Sequence, residues 1–297
     1  MSQLKIYSSE SVAHASRPRP PWLRALGRDD PPQTVTIDGI LYRRQEIFKH
    51  DSWAATARYE SDATATNPTE RAICKFNRRQ SLLGLPGAWV GRVLARREAW
   101  FLRHLADVAN VPKLLGPVVV DGVVQRNAVA RRFISGAPLG VGRTVDDLFF
   151  PRLAELVHQM HAHGMAYVDL HKHENVLVGP EGAPYLIDFQ VCFATNVAKF
   201  RPLRRRLLQL LQEMDDYHVA KLHWRFRPDQ TGKTYDEMMA MKPRLVRFHR
   251  VFAVPLRTLR RKLLTLLGVR RGRGRAESEK FVEAGLRDVR DPHKRAA

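Results

Sequence analysis

Residues 164–178 read GMAYVDLHKHENVLV, and residues 185–190 read YLIDFQ. The first stretch carries Asp169 and Asn175, and Asp188 follows the short apolar run of the second. The segment GPEG at 179–182 separates two apolar runs, which predicts a compact hairpin whose ends lie together. We therefore expect Asn175 and Asp188 to be neighbours. Two carboxylates and an amide oxygen that converge on one point suit a hard cation such as Mg²⁺.

The chain before this centre is predicted to be strand-rich, with one long helix. Asp38 and Gly39 separate two runs with strand character and predict a tight hairpin. Apolar side chains recur at helical spacing over residues 91–109. The predicted elements are a hairpin at 34–42, strands at 57–59 and 71–76, a helix at 91–109, and two strands between 118 and 134 joined by a turn at 121–122.

The chain after residue 135 is predicted to be mainly helical. Residues 136–142 are rich in glycine and resemble a linker. Thr144, followed by Asp146 and Asp147, is typical of a helix start, because threonine caps the first turn and acids suit its positive end. This helix should run to about His161, and basic, leucine-rich helical segments follow from Lys199.

Composition limits the classes of protein to consider. The chain has 297 residues, 44% of them hydrophobic, so a substantial core can form. A formal net charge of +20 favours polyanionic partners: nucleic acid, an anionic membrane surface or phosphorylated ligands. Cys74 and Cys192 lack metal-ligand spacing and are predicted to be buried thiols in a reducing compartment. The sequence shows no secretory signal and no apolar run of about 18 residues, which predicts a cytoplasmic protein.

The motif around Asp169, Asn175 and Asp188 resembles the catalytic and metal-binding signatures of the protein-kinase-like superfamily. The Asp-Leu-His core is similar to aminoglycoside and choline phosphotransferases. The whole pattern looks most like bacterial lipopolysaccharide-core and Kdo sugar kinases, relatives of the RIO kinases, over residues 42–220. The resemblance implies an α+β, two-lobed fold, with a small antiparallel-sheet N-lobe carrying one long helix and a mainly helical C-lobe. The expected divisions are a flexible tail at 1–33, an N-lobe at 34–135, a C-lobe at 136–268 and a basic flexible tail at 269–297.

The resemblance also implies roles for individual residues in binding ATP and Mg²⁺. Lys75, in the sequence AICK, would hold the ATP phosphates, and Glu98 in the following helix would orient it. Phe133 and Ile134 would form the hinge that binds adenine. In the second lobe, the implied roles are acceptance of the hydroxyl proton by Asp169, contact with the transferring phosphate by His171, and binding of Mg²⁺ by Asn175 and Asp188.

Several departures from the family pattern affect the expected activity. The segment 48–58, where a glycine-rich phosphate loop is expected, contains no glycine, although its small residues allow a close backbone approach. Asn175 lies one position later than in the common pattern, so one residue must bulge. Tyr167 and Val168 replace the His-Arg pair, and Gln190 replaces the glycine of Asp-Phe-Gly. Control by activation-loop phosphorylation and a peptide-docking segment are therefore not expected.

Two further sequence features have alternative interpretations. His161, His163, His171 and His173 suggest a metal site, but they lack a ligand set at the usual spacing, and structural roles are favoured. Basic blocks at 78–97 and 201–275 are either solvated helix faces or a surface for anionic lipid, with leucines and Trp89 entering the headgroups. The second interpretation predicts peripheral association with the inner membrane. Nucleic acid is a less favoured partner, because no nucleic-acid-binding motif is present.

Three functions follow from these patterns. The first is an ATP-dependent phosphotransferase acting on a lipopolysaccharide core sugar or similar glycolipid. The second is a compact RIO-like protein Ser/Thr kinase. The third is a non-catalytic pseudokinase scaffold that binds anionic surfaces, which the retention of Lys75, Asp169 and Asp188 argues against.

Overall fold

The computed structural model of this chain describes residues 20–62, 69–81, 86–140, 144–195 and 201–243. Its helices are α1 (Gly87–His104), α2 (Phe149–Ala162), α3 (Arg201–Phe226), α4 (Pro228–Thr231) and α5 (Tyr235–Ala240). Its strands are β1 (Thr34–Ile37), β2 (Ile40–His50), β3 (Ala54–Ser61), β4 (Arg71–Asn77), β5 (Val119–Val120), β6 (Val123–Val124), β7 (Ala128–Arg132), β8 (Ala137–Pro138), β9 (Met165–Ala166), β10 (Val176–Val178), β11 (Pro184–Leu186) and β12 (Phe193–Ala194).

The N-terminal lobe is a seven-stranded antiparallel sheet in the order β6-β5-β1-β2-β3-β4-β7. The predicted hairpin at 34–42 is confirmed: Ile37 pairs with Ile40 across Asp38 and Gly39, which both have positive φ. That pair of φ values defines the tight turn whose twist matches two antiparallel strands. The two strands predicted between 118 and 134 are three, because β5 and β6 form a separate short hairpin before β7.

The register of the sheet aligns one row of side chains toward the cleft between the lobes. Lys49 of β2 pairs with Thr56, Thr56 pairs with Lys75 of β4, and Lys75 pairs with Val129. Cross-strand partners share a face of the sheet, so Lys49 and Lys75 face the same side. Register shifts in β2 just before Lys49 mark irregularities of the kind that bend a strand and redirect its side chains.

Helix α1 lies against the sheet and supplies a buried carboxylate. The helix begins four residues before the predicted start at 91 and ends before Leu105, whose N–H closes the last turn on the Phe101 carbonyl. Its first turns approach the backbone of the preceding segment closely: a Cβ at Gly91 would lie 2.1 Å from the Arg78 carbonyl oxygen. This contact sets how closely α1 approaches the end of β4. Glu98 lies on the buried face of the helix.

The second lobe contains the predicted hairpin and most of the helices. β10 and β11 pair antiparallel, with Val176 opposite Leu186, and β8 joins them as a third strand. Helix α2 starts at Phe149 rather than at Thr144, so the predicted threonine cap is wrong. The acids that suggested an earlier start are engaged elsewhere: Asp146 bonds Arg152, and Asp147 bonds Arg227 beyond α3.

The buried apolar side chains of the described residues form three clusters, and one of them joins the two lobes. The largest spans both lobes, since Phe101 and Leu102 of α1 share it with Phe149 and Leu153 of α2 and with the β10–β11 hairpin. A second lies within the sheet of the N-terminal lobe, and a third joins α3 to α5 through Trp224. Because α1 belongs to the shared cluster, its position is tied to the second lobe as well as to the sheet.

Residues 20–33 were predicted to lie in the flexible tail, but in the structure they pack on the N-terminal lobe. Leu23 and Leu26 are buried, and the Trp22 carbonyl accepts a hydrogen bond of 2.8 Å from Arg78. The buried Arg78 guanidinium also bonds the carbonyls of Ser52, Gln80 and Ser81. Arg78 therefore belongs to the interior and not to the predicted basic surface. Residues 1–19 and 244–297, which include part of the second basic block and the whole predicted C-terminal tail, lie outside the described residues.

None of the helices in the described ranges is long and apolar enough to cross a bilayer. The architecture is mixed: an antiparallel sheet with one long helix in the first part of the chain, and mainly helices in the second. The predicted α+β, two-lobed fold class is thus confirmed.

Candidate active site

A buried lysine lies between two carboxylates where the lobes meet. Lys75 Nζ of β4 is 3.2 Å from Glu98 Oε2 of α1 and 2.7 Å from Asp188 Oδ1, which follows β11. Glu98 is only 1% exposed. The Glu98 carboxylate therefore faces Lys75 in the interior, as the resemblance implies. Three elements that are distant in sequence thus converge on one ammonium group.

The charges in this cluster support each other. Burial alone would lower the pKa of Lys75, but the charges of Glu98 and Asp188 raise it above its ordinary value. Burial raises the pKa of Glu98, and Lys75 offsets part of that effect. For Asp188, the attraction of Lys75 outweighs burial, and its pKa is lowered. The outcome is a lysine that is held charged and a carboxylate that is held ionised, as a phosphate and metal site needs.

The loop after β9 presents Asp169 beside Lys172 and Asn175. Asp169 is buried, and its Oδ2 accepts hydrogen bonds from Lys172 Nζ at 2.7 Å and from Asn175 Nδ2 at 3.0 Å. Asp169 Oδ1 lies 3.2 Å from His171 Nδ1. Because its Nδ2 donates to Asp169, the Asn175 amide presents oxygen as its remaining ligand atom.

The extra residue in this loop is taken up locally. The residues His173–Asn175 form a single 3₁₀ turn, and Asn175 leads directly into β10. The Asn175 carbonyl accepts a hydrogen bond of 3.0 Å from the Ile187 N–H, so Asn175 and Asp188 flank the base of one hairpin, as the sequence predicts. His173 is occupied elsewhere, with Nδ1 2.5 Å from the Leu139 carbonyl oxygen.

Asp215 anchors this loop from beneath. This α3 residue has 0% exposure, and its two carboxylate oxygens accept hydrogen bonds from the backbone N–H groups of Tyr167 at 2.6 Å and Val168 at 2.7 Å. Val168 has φ 71°, which is unusual for a β-branched residue, and Asp188 has φ 68°. Backbone strain of this kind persists only where neighbouring bonds hold it, and it is concentrated at functional sites. Asp215 supplies such bonds next to Asp169.

Three charged residues of this site were missed by the sequence analysis. The resemblance implies that His171, and not its neighbour Lys172, contacts the transferring phosphate. Asp215 lies in a helix that the sequence predicts only as basic and leucine-rich. An acid that follows a run of arginines in such a helix is a local signal that could have identified it. Lys49 lies on β2, and with Lys172 it acts electrostatically on Asp188, lowering its pKa in addition to Lys75. Only the sheet register could have placed Lys49 beside Lys75.

The glycine-free phosphate-loop segment is a short, tightly bonded turn. Asp51 Oδ1 accepts hydrogen bonds from the N–H groups of Trp53 at 2.7 Å and Ala54 at 2.9 Å. The Ser52 carbonyl is held by Arg78 at 2.7 Å. Lys49 Nζ lies 2.6 Å from Asp51 Oδ2 at the same corner. The turn is therefore fixed by side chains, where the family pattern would have glycines.

The predicted hinge residues follow β7 at the junction of the lobes. The Phe133 N–H donates to the Arg71 carbonyl at 3.0 Å, and the Arg58 guanidinium lies 5.7 Å from the Phe133 ring centre. Phe133 and Ile134 are half-buried. Beside them, Arg131 lies on the same face of β7 as Val129, the cross-strand partner of Lys75, and burial lowers the pKa of its guanidinium. The hinge thus continues the strand that borders the Lys75 row.

The donor set suits a hard divalent cation. Asp169, Asn175 and Asp188 supply carboxylate and amide oxygens, which Mg²⁺ prefers, and no thiolate or imidazole nitrogen is needed. Glu98 Oε2 is buried and makes no well-formed hydrogen bond, whereas Asp188 Oδ1 accepts one from Lys75 Nζ. The position of the Lys75 ammonium group is therefore set mainly by Asp188.

The structure thus has the two lobes that the sequence predicts, one with an antiparallel sheet and one long helix and the other mainly helical. No family model and no curated protein sequence matches the chain. Among solved structures it is similar to the Rio2 kinase–ADP/Mg²⁺–phosphoaspartate complex from Chaetomium thermophilum, with 15% sequence identity and a TM-score of 0.45 over 82% of this chain and 70% of that chain. The closer resemblance to lipopolysaccharide sugar kinases stays a prediction.

Proposed function

We propose that this chain is an ATP- and Mg²⁺-dependent phosphotransferase that transfers the γ-phosphate to a hydroxyl group. The observation that carries the proposal is the buried Lys75, held 2.7 Å from Asp188 and 3.2 Å from Glu98 across the junction of the lobes. Phosphoryl transfer needs alignment of the reactants and neutralisation of charge more than covalent chemistry. The cluster supplies a fixed cation and an ionised metal ligand at one point.

The remaining residues divide the work of the reaction. Asn175 and Asp188 would hold Mg²⁺, which neutralises charge on the phosphates when it is bound. Asp169 would accept the proton of the acceptor hydroxyl. Lys172, 2.7 Å from Asp169, is placed to steady the transferring phosphate beside it, a role the sequence assigned to His171. Phe133 and Ile134 would contact the adenine from the hinge.

The absence of a glycine-rich loop does not remove positive charge from the phosphate site. A glycine loop contributes backbone N–H groups, whereas this chain places Lys49 on β2, two strands from Lys75 and on the same face of the sheet. Its partner Asp51 lies at the turn, so binding of a triphosphate would draw Lys49 from a carboxylate to a more highly charged group. We propose that Lys49 replaces the loop glycines in this respect.

The acceptor is a hydroxyl that does not need an extended peptide-docking segment. Only residues 189–200 separate Asp188 from α3, and Arg97 of α1 donates to the carbonyls of Gln190 at 3.3 Å and Cys192 at 2.7 Å, which holds the start of this connection against the helix. A compact Ser/Thr kinase and a glycolipid sugar kinase both fit this arrangement. Helix α3 exposes Leu203 and Leu207 next to Arg205 and Arg206. For a glycolipid sugar kinase, this basic and apolar surface favours an acceptor at an anionic membrane surface.

The test is an assay with γ-labelled ATP, Mg²⁺ and two acceptor fractions, membrane glycolipid and soluble protein. Asp169→Asn keeps the size of the side chain and removes the base, and Lys75→Met removes the phosphate cation. Glu174→Gln is the matched control, because Glu174 is an exposed carboxylate of the same loop. We expect label transfer that Asp169→Asn and Lys75→Met abolish and Glu174→Gln preserves.

The fraction that takes up the label decides the acceptor class, lipid or protein. Binding of a fluorescent ATP analogue is measured in parallel on the same proteins. Nucleotide binding without transfer to either fraction would support the scaffold alternative. Equal labelling by the wild-type and Asp169→Asn proteins would refute the proposed chemistry.

A further inference from the structure

Two histidines and a carboxylate converge on the surface between α2 and α3, away from the cluster around Lys75. His158 and His161 lie one turn apart on α2, and Asp216 faces them from α3. Their nearest ligand atoms all lie within 4.8 Å of one another. His158 Nε2 is 3.2 Å and His161 Nδ1 is 3.9 Å from Asp216 Oδ1.

One of these separations matches the edge of a tetrahedral metal site, and a second is close to it. Zinc bonds to imidazole nitrogen and carboxylate oxygen are about 2.0–2.2 Å long, so neighbouring ligand atoms of a tetrahedron lie about 3.3 Å apart. The edge from His158 to Asp216 already has this length, and the edge from His161 is 0.6 Å longer at 3.9 Å. A small rotation of one imidazole would close the set around a cation, with the fourth position left to water.

The hydrogen bond on the far side of His161 fixes its tautomer. His161 Nε2 lies 3.3 Å from Asp215 Oδ2, and a carboxylate oxygen can only accept, so Nε2 carries the proton. In the neutral ring, Nδ1 then presents a lone pair toward the Asp216 carboxylate. The Nδ1 lone pair and the Asp216 carboxylate oxygen repel each other unless a proton or a cation lies between them.

A histidine whose second nitrogen donates to a carboxylate is the usual arrangement at protein metal centres. The carboxylate orients the ring and raises the basicity of the ligating nitrogen. His161 is mostly buried and held in this way by the fully buried Asp215. His158 and Asp216 are 58% and 50% exposed, so a cation can enter from solvent. The arrangement combines a pre-oriented ligand with two accessible ones.

We propose that His158, His161 and Asp216 form a binding site for a divalent transition metal of the zinc class. Imidazole nitrogen with a single carboxylate suits Zn²⁺, Co²⁺ or Ni²⁺ rather than Mg²⁺, which prefers oxygen ligands. The site is therefore chemically distinct from the oxygen-donor set at Asp169, Asn175 and Asp188. It gives a role to His161, which the sequence had assigned to structure.

The same contacts connect this site to the catalytic loop. Asp215 bonds His161 on one side and the N–H groups of Tyr167 and Val168 on the other. A metal on Nδ1 makes the Nε2–H of His161 a stronger donor, and it fixes the ring against α3. Both effects hold Asp215 in place under the strained residue Val168. The metal would thus brace the loop that presents Asp169.

The first experiment titrates the chelator-treated full chain with Co²⁺ and follows the d–d absorption, and then competes Zn²⁺ against a chromophoric chelator. His158→Ala and Asp216→Asn each remove one ligand without touching Asp215. His163→Ala is the matched control, because His163 is a partly exposed histidine just beyond α2 that pairs with Asp107 outside the cluster. We expect one site in the wild-type protein and in His163→Ala, weakened at least about tenfold in the two ligand variants. Equal affinity of the wild-type and His158→Ala proteins would overturn the site.

The second experiment measures hydrogen exchange of the backbone amides of Tyr167 and Val168 with and without Zn²⁺. We expect slower exchange on saturation in the wild-type protein and no change in His158→Ala. Exchange at these amides that is the same with and without Zn²⁺ in the wild-type protein would overturn the bracing of the loop. Neither readout depends on phosphotransferase activity, so failure of that proposed function leaves both results interpretable.

Discussion

Replacing Asp215 by asparagine tests whether one buried carboxylate holds the catalytic loop. The substitution keeps the shape of the side chain and changes one oxygen to an NH₂ group. In the folded protein both carboxylate oxygens accept backbone N–H bonds, from Tyr167 at 2.6 Å and Val168 at 2.7 Å. Asparagine can accept only one of them, and its NH₂ group must face the other N–H donor.

The size of the effect follows from the bonds that are lost. A hydrogen bond to a charged group contributes about 1.5–3 kcal/mol, and a buried N–H left unpaired costs a further ~1–3 kcal/mol. Burial raises the pKa of Asp215, with His161 and the two backbone N–H groups offsetting part of that effect. Removing the charge therefore recovers some desolvation energy. We expect a net loss of about 2–4 kcal/mol in the free energy of unfolding.

The effect on catalysis should exceed the effect on nucleotide binding. Once the bond is lost, Val168 at φ 71° can relax and carry Asp169 with it. Strain of about 1–3 kcal/mol at such a residue corresponds to a fall in kcat of roughly 10- to 100-fold. The KM for ATP should change little, because Lys75 and Asp188 lie on other elements.

The assay combines urea unfolding in chelator-containing buffer with steady-state kinetics in Mg²⁺. Glu213→Gln is the matched control, since it makes the same carboxylate-to-amide change at an exposed position of α3, outside the cluster of His158, His161 and Asp216. It should alter stability by less than about 0.5 kcal/mol. If Asp215→Asn behaved like Glu213→Gln in both measurements, the loop would not depend on the Asp215 carboxylate, and the account given of Val168 would be refuted.

Two further predictions concern stability. Burial and His171 lower the pKa of His218 to about 3. Below pH ~6.5 the unfolded chain therefore takes up a proton at His218 while the folded chain does not. The free energy of unfolding consequently falls as the pH falls from 6.5 toward 3. At pH 5 this contribution amounts to about 2 kcal/mol, and His218→Gln should lose that much less stability than the wild type between pH 7.5 and 5 in urea titrations; parallel pH profiles would count against it. Gly91→Ala places a Cβ 2.1 Å from the Arg78 carbonyl oxygen and should destabilise the fold by about 1–3 kcal/mol, although alanine has the better helix propensity. The control is Gly140→Ala, whose nearest contact is at 3.7 Å and which should be close to neutral in thermal unfolding.

The local signals in the sequence were sufficient for much of the fold. The Asp38-Gly39 turn and the GPEG turn each lie between strands that pair as a hairpin, as predicted, because turn chemistry is local to a few residues. The start of α2 was predicted wrongly for the opposite reason. Asp147 is bonded to Arg227, a partner 80 residues away that no local pattern reveals. Short-range rules fail where a distant side chain pairs with an acid that the local pattern places in the first turn of a helix.

The same division holds at the candidate site. Asp169 and Asp188 could be named from the motif around them, and Lys75 and Glu98 from the family resemblance that this motif carries. The roles of these residues remain predictions, while the convergence of Lys75, Glu98 and Asp188 is a feature of the structure. Residues that act through tertiary contacts had no such spacing to reveal them. Asp215, for example, meets the Tyr167 amide from 48 positions along the chain.

The turn at Asp51 shows how one function can be kept after its usual sequence signal is lost. A glycine-rich loop binds phosphate because its flexible backbone can approach closely, and it loses conformational entropy when it does so. Here the Asp51 side chain and the Arg78 guanidinium hold the turn from two sides. A turn fixed in this way cannot close over a ligand by backbone movement, so its positive charge has to come from a side chain that can move. Lys49 has that property, because it is largely exposed and is paired with Asp51 by a contact that a triphosphate can outcompete. The absence of glycine and the presence of Lys49 at the bulged end of β2 are therefore two parts of one arrangement.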